Sequence, residues 1–110
     1  MRSKQEEIKN QVLGKNYNLS VVPAKNSLMK KLNKRYRNKD KAADVLSFPL
    51  SKTDGEIFLN ESLAKKKYYM DYLFVHSILH LKGFKHGKKM EENEKKIMIK
   101  HYGKEYHNWN

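Results

Sequence analysis

The sequence predicts an α+β fold in which a small mixed β-sheet packs around a buried helix. Three observations point there. Segments with β-branched or alternating apolar residues occur at 17–23, 43–50 and 56–60. Residues 28–36 and 90–98 place apolar side chains at helical spacing. Residues 72–81 (Tyr-Leu-Phe-Val-His-Ser-Ile-Leu-His-Leu) are apolar on every side of a helix apart from His76, Ser77 and His80. Such a helix has no face to offer water and belongs in the centre of the fold.

The elements follow in order. Ile8, Val12 and Leu13 give residues 4–13 a short helical spacing that ends at Gly14. Residues 17–23 read as a strand closed by Pro23. Asn26 or Ser27 can cap a second helix, in which Leu28, Met29, Leu32 and Tyr36 repeat at helical spacing up to about Arg37, with lysines on the remaining face. Residues 38–41 form a polar turn. Residues 43–50 make a second strand that ends at Pro49, and Thr53-Asp54-Gly55 turns the chain into a third at 56–60. These two pair as a hairpin. The longest helix is expected over 61–82, and a closing helix over about 90–100 carries Met90, Glu94, Ile97 and Met98.

At 110 residues the chain is expected to be one domain, 1–110. It has no cysteine, so disulfide-linked partners and thiolate metal sites are excluded and only histidine and carboxylate can ligate. No apolar signal region opens the chain, and the longest apolar stretch is too short to span a bilayer, so a cytoplasmic location is expected and no membrane partner. The formal net charge of +12 favours a polyanion partner. Only three of the 24 basic residues are arginine, however, and lysine runs are as a rule solvated faces. Charge alone leaves the partner open.

Residues 76–86 carry the chemistry. They space three histidines as HxxxHxxGxxH. Positions i and i+4 share a helical face, so His76 and His80 can aim two imidazoles at one ion. Gly83 suits the left-handed end of that helix, after which the chain can return His86 to the same face. A lone histidine on a buried helix is usually a satisfied core residue. Three at ligand spacing suggest one Zn2+ with a fourth position for water or substrate, the arrangement of catalytic zinc. Metzincin peptidases share the spacing, but their general base is a glutamate after the first histidine. Here that position is Ser77, which cannot accept a proton from water at neutral pH. His101 and His107 lie outside this spacing and are expected at the surface, and the tyrosines and Trp109 are expected to pack rather than stack on bases.

Three segments, Leu32-Asn33-Lys34-Arg35-Tyr36-Arg37, Ala43-Asp44-Val45-Leu46-Ser47-Phe48-Pro49 and the histidine run, together resemble the YbeY family, with its LNxxYR, TDVLSFP and HGxLHLxGYDH segments. Gly55-Glu56-Ile57 and the pair Met90 and Glu94 match a GDI strand and a following helix, so the likeness covers about residues 17–100. The resemblance implies a bacterial metal-dependent endoribonuclease that acts on single-stranded RNA in ribosomal RNA maturation and ribosome quality control. RNA and the ribosome are then the partners. It also implies a sheet of about four strands around a central helix, zinc on His76, His80 and His86, and a functional arginine at Arg37. A guanidinium can clamp a phosphate and stabilise its transition-state charge. Departures are Ser77 for glycine, Phe84 for tyrosine and Lys85 for aspartate. The general base is not assigned. The alternatives are a metallopeptidase-like zinc hydrolase and a non-catalytic zinc-containing module that binds RNA or the ribosome.

Overall fold

The computed structural model describes residues 3–103. Along them run α1 (Ser3–Leu13), β1 (Asn18–Ala24), α2 (Asn26–Arg37), β2 (Val45–Pro49), β3 (Asp54–Asn60), one 3₁₀ turn (Glu61–Leu63), α3 (Lys67–Lys82) and α4 (Lys88–Tyr102). The sheet has the order β1-β3-β2, with β3 parallel to β1 and antiparallel to β2. The α+β class and the mixed sheet therefore stand. Pro23, which has no N–H for a ladder, sits in β1 at one edge of the sheet, where such a gap is tolerated.

Side-chain alternation along β3 divides the molecule. Ile57 and Leu59 join Phe74, Val75, Ile78 and Leu79 of α3 and Met90, Ile97 and Met98 of α4 in the larger core. Phe58 packs instead on the cluster of Ala24, Met29, Ala43 and Leu46, which seats α2. The sheet thus separates α2 from the other helices, as the period of two requires. Phe74, Val75 and Ile78 are wholly buried, which fixes the rotation of α3 and with it the direction of its polar residues.

Three expectations need correction. The sheet has three strands among the described residues, not about four. The β2–β3 hairpin closes tightly through Leu50 and Ser51 amides on the Asp54 carbonyl, leaving no strand there. The longer connection, 38–44, is held instead by side chains: Asn33 donates to the Lys41 carbonyl and Asn60 to the Ala43 carbonyl. The long helix begins at Lys67 rather than residue 61, because the Asn60 side chain accepts from the Ser62 amide and stabilises a 3₁₀ turn. His101 is half-buried rather than fully at the surface. Its side chain is 9% exposed and its Nε2 lies 3.0 Å from Gln11 of α1. His107 and Trp109 lie outside the described residues.

Two outcomes test this packing. A methyl group on Gly55 would lie 2.3 Å from the Tyr17 hydroxyl and 3.1 Å from both Leu81 Cδ atoms. Gly55→Ala should therefore destabilise the fold by about 1–3 kcal/mol in denaturant melts. The buried Tyr17 hydroxyl finds no hydrogen-bond partner among the described residues, so adding Tyr17→Phe should recover part of that loss. For His101, burial and then the nearby Lys100 push its pKa below the usual imidazole range, against the pull of Glu7. The folded state then binds fewer protons than the unfolded chain, so this stability is whole above about pH 6.5 and drains as pH falls through that value toward the folded pKa. Wild type should melt lower at pH 5 than at pH 7.5, and His101→Gln should narrow the gap.

Candidate metal centre

Helix α3 carries His76 and His80 one turn apart, and the buried residues around them leave the rings a single direction. The helix ends at Gly83, whose φ of +113° is left-handed backbone that side-chain-bearing residues rarely adopt. The Gly83 and Phe84 amides donate to the Leu79 carbonyl, which closes the last turn and reverses the chain. The reversal sets the Phe84 carbonyl against His80 Nδ1 at 3.0 Å and carries His86 back over the helix. Ring centroids of the three histidines lie 4.5 to 5.0 Å apart, and each offers a ligand atom within 4.8 Å of the others.

The hydrogen bonds decide which nitrogen is available. Glu94 of α4, 4% exposed, places Oε2 at 2.5 Å from His76 Nδ1. An ionised carboxylate and a backbone carbonyl can only accept, so His76 and His80 both donate from Nδ1 and both keep their lone pairs on Nε2. Those two Nε2 atoms face each other at 3.0 Å. With both rings neutral, neither can donate to the other. A cation between them would relieve the repulsion, and the third imidazole lies close enough to join the other two in holding a metal ion. Zinc with Zn–N bonds of about 2.0–2.1 Å sets ligand separations near 3.4 Å in a tetrahedron, within the range these atoms span. The donor set therefore fits zinc. Burial, and next His76, push His80 below the ordinary imidazole range, which favours the neutral ring that a metal requires.

The centre opens into a cleft of about 540 Å³ above the edge strand β2. His76, Ser77, His80, Leu81 and His86 form one wall, residues 45–49 form the floor, and Tyr36 and Arg37 close it from the end of α2. Arg37 is the last residue of that helix, stopped by Asn38 in a left-handed conformation whose amide returns to the Asn33 and Lys34 carbonyls. It makes no ion pair with a described residue and lies free at the cleft. Asp44 accepts from the Tyr69 hydroxyl, which raises the Tyr69 pKa to about 12 and ties the start of β2 to α3. Lys85 is exposed and lies outside the cleft lining. Among the described residues, no carboxylate lines the cleft. Sequence reasoning noted Glu94 only as part of a helix pattern and missed its bond to His76. Its one signal was a charged residue on the apolar side of α4, four from Met90.

Comparison with known proteins gives the chain a family. A family model described as Endoribonuclease YbeY matches residues 1–110. A protein named Endoribonuclease YbeY from Clostridium botulinum (strain Hall) is 37% identical, over 83% of this chain and 74% of that protein. One of the same name from Mycoplasma mobile is 39% identical, over 67% of this chain and 61% of that protein. A Thermotoga maritima protein whose structure was solved in solution superposes with a TM-score of 0.62 at 27% identity, covering 96% of this chain and 81% of that one.

If Glu94 orients His76, Glu94→Ala should weaken zinc affinity by about 10–100-fold in competition with a chelator. Glu94→Gln, which can still accept from Nδ1–H, should lose less. Unchanged affinity in a folded Glu94→Ala protein would leave the carboxylate with no part in the centre.

Proposed function

The chain belongs to the YbeY endoribonuclease family, and we propose that it cleaves single-stranded RNA internally during ribosomal RNA maturation, with zinc on His76, His80 and His86 and with Arg37 on the scissile phosphate. The observation that supports this most directly is the shared cleft. Arg37, from a different layer of the fold, opens onto the same space as the three imidazoles.

The residues divide the work by their chemistry. A zinc ion held there supplies Lewis acidity toward a phosphoryl oxygen and activation of water. The Arg37 guanidinium offers paired N–H donors to two phosphate oxygens and stays charged throughout, so it can hold the phosphate and stabilise charge that builds on it. Glu94 is engaged with His76 and buried, which removes it as a proton acceptor for substrate. Ser77, 1% exposed, offers only a hydroxyl. A cleft lined, among the described residues, by histidines and arginine without a carboxylate attracts a phosphodiester and lacks the base of a zinc peptidase. RNA is the better substrate on both counts.

Zinc-loaded protein should cut single-stranded RNA, stop with excess chelator and recover with added zinc. His80→Ala should lose zinc by elemental analysis together with cleavage. Arg37→Ala should keep its zinc and fall by about 10²–10³ in kcat, the usual effect of deleting one transition-state donor. Cleavage that ignores chelator, or hydrolysis of peptides without RNA cleavage, would sink the assignment.

A further inference from the structure

Among the described tyrosines and phenylalanines, Tyr36 alone is exposed, at 57%. Its neighbours on the apolar side of α2 do the packing: Met29 is wholly buried and Leu32 partly so. Tyr36 instead lines the cleft of the three histidines beside Arg37. The ring is nevertheless held. Phe48 meets it edge to face at 5.3 Å, and Phe58 of β3 meets Phe48 in the same way at 5.8 Å, so a ladder of rings runs from the sheet to the cleft mouth. The Arg35 guanidinium lies 5.5 Å from the Tyr36 centroid and can lie against a second flat group placed there.

An exposed ring braced from below is a surface prepared for another ring. From these contacts we propose that Tyr36 is the platform on which an unpaired base of the RNA substrate stacks, next to the phosphate held by Arg37. This role presupposes the ribonuclease activity proposed for the cleft. Consecutive helical residues diverge by about 100°, so Tyr36 and Arg37 meet two different parts of one strand. A nucleotide is divided in the same way, into an apolar flat base and a charged backbone. The cleft holds both kinds of group, with Phe48 against Tyr36 and Arg37 and the imidazoles in the same lining. A base inside a duplex already has both faces covered, and reaching Tyr36 would require unstacking it. An unpaired base has a face to offer. Tyr36 thereby selects single strands without reading sequence, because every base presents a π-face.

The test combines Tyr36 variants of the zinc-loaded enzyme with a short single-stranded RNA in which each nucleotide is replaced in turn by an abasic one. Tyr36→Ala should raise KM about tenfold, the scale of one lost base stack, with kcat and zinc content little changed. Tyr36→Phe keeps the ring and should keep the wild-type KM. One abasic position should raise KM on wild type and have no further effect on Tyr36→Ala, because both changes remove the same contact. If wild type cleaves RNA while Tyr36→Ala matches it in KM, or every abasic penalty persists in Tyr36→Ala, the platform is disproved and the ribonuclease stands. If wild type cleaves no RNA, the functional assignment and the platform fall together.

Discussion

Two Nε2 atoms held 3.0 Å apart with their lone pairs facing are the constraint on which the site depends. Each is forced by an acceptor on the far side of its own ring, Glu94 for His76 and the Phe84 carbonyl for His80. The two acceptors come from different places, one from the buried face of α4 and one from the chain reversal after α3. Correct packing of α4 on α3 is therefore a condition for correct tautomers in the cleft. The large core supplies it, since Met90, Ile97 and Met98 of α4 are buried against the same cluster as Phe74 and Ile78. Apolar burial fixes the helices, the helices fix two proton acceptors, and the acceptors leave nitrogen lone pairs pointed at one spot.

The second half of the site hangs on the other side of the sheet. Arg37 and Tyr36 belong to α2, whose own cluster of Ala24, Met29, Ala43 and Leu46 is separate from the core that holds the histidines. The two assemblies share the sheet, and their functional residues converge over β2, where residues 45–49 floor the cleft. Both sides of β2 are secured: Asp44 is bonded to Tyr69 of α3, and Phe48 packs against Tyr36 of α2. An edge strand is the natural place for this junction, since a central strand would be covered on both flanks. The motif around β2 is thus explained by position rather than by reactive groups.

Much of this was legible from the chain, for physical reasons that differ by element. The strands and α2 showed because their apolar residues keep a regular period, and the clustering of His76, His80 and His86 showed because helical geometry makes i and i+4 neighbours and Gly83 lets the chain turn back. The bond of Glu94 to His76 did not show. It spans 18 residues and depends on how two helices pack, which no local pattern encodes. His101 was misplaced for the same reason, its partner Gln11 being 90 residues away. The start of α3 was missed because Asn60 stabilises a competing local turn. Tyr36 fell on the apolar stripe of α2 and so read as core, whereas that stripe runs past the end of the cluster it packs on.

Histidine segments of this spacing are shared with peptidases, so the three imidazoles by themselves do not name a substrate. What separates the possibilities is the company they keep. A zinc peptidase needs a carboxylate at the water, and among the described residues the carboxylate bonded to one of the three clustered histidines is buried behind it, on the Nδ1 side. The open side carries a free guanidinium and a braced, exposed aromatic ring. Those two groups match the charged backbone and the flat base of a nucleotide, and neither serves a peptide bond. The excess of basic residues, ambiguous in the sequence, agrees with the proposed substrate, since a positive field draws in a polyanion.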